Sequence, residues 1–445
     1  MNTKYQIRRL SFLLAMLVSA SITAQERIEM SLQQMQDYAF KNSVTNKNAS
    51  YDAEAAKYNT ESLKAIGLPQ INGSVQFNNY IYAPYSIIPA GTFGPTEFRV
   101  RFGNPYTLTV GATASQLLFD GTWLVALEAA RSYEKFQDQQ VKKTSIDVKA
   151  TIANSYYLAL IAEENSKLLL DSKAELVNML NQTEALLKEG FTEVENVDQL
   201  QLSVNDLNIQ ISYAQEQAKL AKDLLKFQAG MTLNTDLVLT DNLDGFMSAA
   251  GADLLSTSFV AENTLDVQLA SNGLHLQELN LKSKKAAYLP NLSGFINFQT
   301  AAYRQEFNLF DTSLPYFYGN LWGLQMNIPI LSGGMRKYEV KKVEVEVKRM
   351  QDLEVMTKQA TELEYRSAKS ELQNALEAYN SSKSSMELAK SILQKTQIKF
   401  SEGLGTSFDI TQKNTQLIST QATYIQATMK VLNARTRLAK ALNQL

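Results

Sequence analysis

The chain is written twice. Lys64-Ala65-Ile66-Gly67-Leu68-Pro69-Gln70-Ile71-Asn72-Gly73 returns as Lys285-Ala286-Ala287-Tyr288-Leu289-Pro290-Asn291-Leu292-Ser293-Gly294. Leu117-Leu118-Phe119-Asp120-Gly121 returns as Pro329-Ile330-Leu331-Ser332-Gly333, and Lys188-Glu189-Gly190-Phe191 as Ser401-Glu402-Gly403-Leu404. Each copy has the same order: a helical pattern, an alternating segment, a loop, a second alternating segment, then a very long helix that turns back. A period of roughly 210–220 residues is too long for a solenoid and reads as a duplicated structural half. Each half supplies only two strands, which limits how such a chain can close a sheet.

The first residues read as a secretory signal. Lys4, Arg8 and Arg9 precede an apolar run from Leu10 to Val18, and small residues follow as far as Ala24. The expected signal is 1–24, with Gln25 as the new start. The run is too short to span a bilayer as a helix, and no later stretch approaches one. Net charge is -2, from 43 basic and 45 acidic residues, with no basic patch to suggest nucleic acid. Cysteine is absent, which removes disulfides, thiolate metal sites and cysteine nucleophiles. The one histidine, His275, sits between Leu274 and Leu276 on a predicted helix and reads as structural or exposed. Gly333-Gly334 is a strand-to-helix turn, since no lysine follows at the spacing of a phosphate loop. With the carboxylates scattered on helix faces, no enzyme, cofactor or metal site is expected.

Four segments alternate with period two, and strands are expected over 68–83, 104–119, 289–303 and 317–331. Ile71, Val75, Phe77 and Ile81 oppose Asn72, Ser74, Gln76 and Asn78; Leu108, Val110, Ala112 and Ala114 oppose Thr107, Thr109, Thr113 and Ser115. Leu292, Ile296 and Phe298 oppose Ser293, Asn297 and Gln299; Trp322, Leu324 and Met326 oppose Gly323, Gln325 and Asn327. A soluble half-buried sheet alternates too. The polar face here is uncharged, however, and aromatics crowd the strand ends. Tyr80, Tyr82, Tyr85, Phe98, Phe102 and Tyr106 mark one boundary. Tyr303, Phe307, Phe310, Tyr316, Phe317, Tyr318 and Trp322 mark its match, and Phe119, Trp123 and Tyr288 the other end. Such girdles flank outer-membrane barrels. Four strands cannot close, and a lipid-exposed edge is not tolerated, so the barrel must be shared between chains. Residues 83–105 and 304–316 become loops outside the cell.

The tracts Thr122–Leu187 and Met335–Ser401 contain neither proline nor glycine. Each would run roughly 100 Å as a helix, then reverse into a second helix of about 35 residues. The reversing helices carry strict sevens. Val197, Val204, Ile211, Ala218 and Leu225 run beside Leu200, Leu207, Ala214 and Ala221; Leu417, Tyr424, Val431 and Leu438 run beside Thr420, Ala427, Ala434 and Ala441. Tyr365, Leu372, Tyr379, Met386, Leu393 and Phe400 repeat the spacing in the second long helix. Seven-residue spacing means helices packed side by side as coiled coils. A soluble rod or an adaptor hairpin would show the same seams, but not two hairpins each entered from a membrane-type strand pair.

Leu-Pro before each first strand, the tip glycines Gly190 and Gly403, and the duplication together resemble the outer membrane efflux protein family, the TolC-like channel tunnels. The resemblance covers the mature chain. It implies an α+β membrane protein: a homotrimer whose 12-stranded outer-membrane barrel, four strands per chain, continues as an α-helical coiled-coil tunnel through the periplasm. The division is then a signal at 1–24, a first repeat at 25–230, an equatorial segment at 231–263 and a second repeat at 264–445. The hairpin tips fall near 188–196 and 401–409. Family contacts carry over to Gly190, Phe191, Thr192, Gly403, Leu404, Gly405 and Thr406 as the surface for a periplasmic adaptor, with an inner-membrane pump beyond it. Asp409 matches an aspartate ringing the periplasmic entrance, where three carboxylates would attract cations. The alternative is an ordinary first-turn acid at a helix N-terminus. Gln412 stands where the family has a second acid. Phe400 and Gly405 replace its gate tyrosine and arginine, and Asn196 their aspartate partner. A closed entrance must then be held otherwise, with packing of Phe400 the expected substitute. The implied function is a passive exit duct of a tripartite efflux system. The channel of a type I protein secretion system is the alternative, and a non-channel periplasmic scaffold the more distant one.

Overall fold

The computed structural model describes residues 27–82, 85–92, 94–101, 103–248 and 252–445; the expected signal 1–24 and Phe102 of the aromatic girdle lie outside them. The elements run β1 (Arg27–Met30), α1 (Leu32–Asn42), α2 (Val44–Ala65), β2 (Gln70–Asn79), β3 (Tyr85–Ile88), β4 (Phe98–Arg101), β5 (Tyr106–Phe119), α3 (Gly121–Lys188) and α4 (Val194–Ala229). Then follow β6 (Asp236–Leu239), α5 (Leu243–Ser248), α6 (Ala252–Ser256), a 3-10 turn (Ala261–Asn263), α7 (Leu265–Ala286), β7 (Asn291–Arg304), β8 (Phe317–Asn327), α8 (Met335–Ser401) and α9 (Ser407–Ala441). Two compact units form, and each draws on both repeats: 52–138 with 269–355, and the residues up to 51 with 139–268 and 356–445.

The first unit holds an antiparallel sheet in the order β2-β5-β7-β8, with β3 and β4 forming a separate hairpin. The strands are shorter than the alternating patterns. Pro69 and Pro290 stand just before β2 and β7, and Pro329 just after β8; a proline has no amide hydrogen for the ladder. Register decides the faces. Val75 pairs with Val110, Ala114 with both Ile71 and Ile296, and Ile296 with Trp322. Directly opposed residues share a side, so the apolar sets of all four strands form one wall. Asn72, Thr113 and Asn297 meet on the other face, where Asn297 Nδ2 donates to Thr113 Oγ1 at 2.7 Å. The apolar wall is the more exposed one, Trp322 being 76% exposed. Among the described residues, β2 and β8 each keep one unpaired edge. Asp120 then starts α3 by accepting from the amides of Thr122 and Trp123 at 2.7 and 3.2 Å.

The second unit is built on the heptad seams. Leu200, Val204, Leu207, Ile211 and Ala214 of α4 pack with Leu169, Leu176 and Leu180 of α3, and with Leu393, Phe400, Ile410 and Leu417 of α8 and α9. Farther along, Leu372 and Tyr379 pack against Ala427, Val431, Ala434 and Leu438. A third cluster joins Met35, Ile152, Tyr156, Leu225 and Leu432. Beside it β1 pairs in parallel with β6, a two-stranded sheet that sequence reading missed because neither four-residue strand shows a usable period. Gly230 ends α4 in the left-handed region. The buried Lys226 donates to the carbonyls of Leu233 and Thr235 at 2.7 and 3.0 Å, which folds the following loop toward β6.

The far side of α4 is unusual. Leu202, Ile209, Tyr213, Leu220 and Phe227 are each between 57% and 73% exposed. At about 100° per residue they line up on the side opposite the buried seam. An ordinary surface helix is polar there; α4 has two apolar seams, and the chain covers only one. No described helix is long and apolar enough to cross a membrane.

Candidate functional site at the hairpin tips

The two tips are built alike. After α3, Gly190 adopts φ +78°, and after α8, Gly403 adopts φ +74°. The amide of Gly190 donates to Leu187 O at 3.0 Å and that of Phe191 to Leu186 O at 2.9 Å; Gly403 and Leu404 repeat this to Phe400 and Lys399 at 3.0 and 2.8 Å. This is the Schellman ending of a helix, which needs a residue free to enter the left-handed region. Phe191 and Leu404 occupy matching positions just beyond and point their side chains into solvent, as does Phe408. Thr192 and Gly405 are half-buried.

The second tip has a cap that the first lacks. Thr406 is the N-cap of α9: its hydroxyl accepts from the Asp409 amide at 3.2 Å, and the Asp409 carboxylate accepts from the Thr406 amide at 3.1 Å. Those interactions, the Thr406 hydroxyl above all, hold the Asp409 carboxyl below its ordinary value. Asp409 therefore has a local task at the helix start. Glu193, the equivalent N-cap of α4, makes no side-chain cap bond. Gln412 is exposed, whereas Phe400 is buried in the four-helix seam with Ile410 and Leu393.

What ties one tip to the other is neutral. Ser407, buried, donates through its hydroxyl to Asn196 Oδ1, and Asn196 Nδ2 donates to Thr192 Oγ1 at 3.1 Å. Deeper, Ser203 Oγ donates to Thr411 Oγ1 at 3.3 Å. Sequence reading singled out Asn196 as a departure but missed Ser407, Ser203 and Thr411. Hydroxyl residues scattered over helices give no signal of their own until the fold brings two tips together.

The cap predicts a pH response. A carboxyl held low in the folded state lends stability that is complete above its unfolded value, about 4, and is lost as pH falls through the folded value. Protection factors of the amides over 406–412, referred to the intrinsic exchange rate at each pH, should therefore fall on acidification below about pH 4, and Asp409→Asn should abolish that dependence. Thr406→Ala should destabilise the start of α9 by about 1 kcal/mol at neutral pH. Equal exchange in wild type and Thr406→Ala would show that the cap carries no such weight.

Residues 258–444 match the model of the outer membrane efflux protein family. Among solved structures the chain is similar to CusC, described for folding and transmembrane channel formation, with TM-score 0.72 and 16% identity over 93% of this chain and 92% of that one. It is similar to the outer membrane protein VceC of Vibrio cholerae, with TM-score 0.69 and 16% identity over 92% and 95%. The Campylobacter jejuni CmeC outer membrane channel gives TM-score 0.71 and 14% identity over 93% and 85%. No curated protein matches the sequence. Residues 258–444 are thus similar to the outer membrane efflux protein family, and the chain as a whole has the fold of solved outer-membrane channels.

Proposed function

We propose that this chain is the outer-membrane exit duct of a tripartite efflux system, working as a homotrimer that passes substrates without chemistry. The observation that carries the reading is the pair of apolar seams on α4. A helix whose opposite sides are both apolar is one that neighbours flank on both sides, as in a closed ring of helices. The two open edges of the sheet make the same demand independently, since backbone groups at a lipid-exposed edge have no water to pair with. Three chains would give twelve strands, above the roughly eight at which single-chain barrels begin.

In this reading the exposed Phe191, Leu404 and Phe408 beside Gly190 and Gly403 form the apolar surface that receives a periplasmic adaptor, with an inner-membrane pump beyond it. Asp409 and Gln412 lie near the entrance, and Phe400 contributes by packing. The Asn196–Ser407 bond supplies a neutral tie between the hairpins in place of charged ones. Purified protein in a planar lipid bilayer should give discrete conductance steps. Membranes that stay electrically silent with inserted, folded protein would overturn the duct. In crosslinked cells, Phe191→Asp with Leu404→Asp should cut adaptor capture at least tenfold while leaving conductance unchanged. Adaptor capture at the wild-type level would remove the tips from the docking surface. The pump captured alongside separates small-molecule efflux from polypeptide secretion.

A further inference from the structure

We infer that the outer loop 305–316 is a foot that grips the lipid-facing side of the barrel wall and buries Phe307 and Phe310 in the outer leaflet of the bilayer, rather than covering the pore. The inference rests on the barrel reading above and adds where this loop goes. Face assignment starts from register. Tyr106 pairs with Asn79 on one side and with Arg304 on the other. Side chains two apart on a strand share a face, so Phe77, Tyr106, Ala302 and Arg304 all lie on the wall that carries Ile71, Val75 and Trp322.

The loop folds onto that wall. The Phe307 ring meets Phe77 edge-on at 6.0 Å and Tyr106 at 5.7 Å. Arg304 is buried and donates to the carbonyl of Pro315 at 3.0 Å. Its guanidinium carbon lies 5.4 Å from the centre of the Tyr316 ring. The Tyr316 hydroxyl in turn donates to Leu309 O at 2.8 Å, and Leu309 is buried. Ala302 is 0% exposed, although Ile296 and Phe298 farther down the same face are open. Arg304 of β7 therefore holds the far end of the loop, while Phe307 near its start packs on Phe77 of β2 and Tyr106 of β5.

What the loop then presents is apolar. Phe310 is 77% exposed and Phe307 66%. They continue a wall of exposed Phe77, Tyr318 and Trp322 without a charged residue between the rings along β8. Next to Phe310 the chain turns polar: Asp311 Oδ1 accepts from the Ser313 amide at 2.9 Å and from its hydroxyl at 2.6 Å. Aromatic rings beside a compact polar turn suit the boundary between acyl chains and headgroups. Lipid is the occupant because the surface is continuous with the wall that lipid must already cover.

The chain contains no cysteine, so single-cysteine variants take a nitroxide label cleanly. Phe310→Cys, Leu324→Cys and Gln325→Cys would be labelled in the full chain and reconstituted in phosphatidylcholine–phosphatidylglycerol vesicles. Collision rates would then be measured with oxygen and with a water-soluble nickel chelate. The expected oxygen-to-nickel ratio at position 310 is several-fold above that at 325 on the polar face and close to that at 324 on the wall. Arg304→Gln in the Phe310→Cys background should lower it toward the value at 325. A dry Leu324→Cys with a wet Phe310→Cys overturns the foot and leaves the barrel standing. A wet Leu324→Cys overturns the barrel and the foot with it. An unchanged ratio in the Arg304→Gln background overturns the grip assigned to Arg304.

Discussion

Gly230→Ala is expected to be the most damaging glycine substitution in the helical unit, costing about 3 kcal/mol or more. Gly230 closes α4 at φ +75°, and an alanine there accepts a left-handed backbone at a cost of about 1–2 kcal/mol. The larger part is steric. A Cβ built on Gly230 would lie 2.5 Å from Asn42 O and 2.9 Å from Asn42 C, and these are backbone atoms of the junction between α1 and α2 that cannot swing aside. Gly190 is the control. It has nearly the same backbone angle, φ +78°, and no atom of the described residues within 4 Å of its missing Cβ. Thermal melting of the detergent-solubilised protein by circular dichroism should therefore show a small drop for Gly190→Ala and a severe drop, or loss of folded material, for Gly230→Ala. Equal drops would mean that the Asn42 contact contributes nothing and that backbone conformation alone sets the cost.

Ile209→Asp combined with Leu220→Asp is expected to convert the proposed trimer to monomers without unfolding the chain. Both side chains sit on the uncovered seam of α4, 70% and 57% exposed in the single chain, so the substitutions disturb little within it. In an assembly each would lose burial worth about 1.5–3 kcal/mol and would place a carboxylate in an apolar interface. The loss recurs at each of three interfaces, so the assembly loses on the order of 10 kcal/mol. Light scattering coupled to size-exclusion chromatography reads the outcome directly, with circular dichroism to confirm helix content. A stable trimer from the double variant would show that the second seam faces something other than another copy. The duct would then need a different basis.

Much of this architecture is legible in the letters because its signals are local and repeated. Period-two alternation gave the strand faces, and register then placed Val75, Val110, Ala114 and Ile296 on a single wall. Period-seven spacing gave the seams, and Leu200, Val204, Leu207 and Ile211 are buried where that spacing puts them. Glycines at 190 and 403 announced the reversals because only a residue without a side chain enters the left-handed region freely. Strand ends were less legible: the alternation at 328–331 continues past β8, but Pro329 cannot donate to a ladder. Asp409 shows a different limit. Its type and position fit both a helix cap and an entrance ring, and only the paired bonds with Thr406 reveal the first role.

The sequence alone determined the duplication, the two kinds of element and the face that each presents, since these follow from periodicities within one strand or helix. Tertiary structure decided what depends on segments far apart in the chain. It joins β1 to β6, ties Asn196 to Ser407, folds the loop after Arg304 onto the apolar wall and leaves one seam of α4 open. A helix's pattern says which sides are apolar, but whether each side is covered depends on what other segments occupy the space beside it.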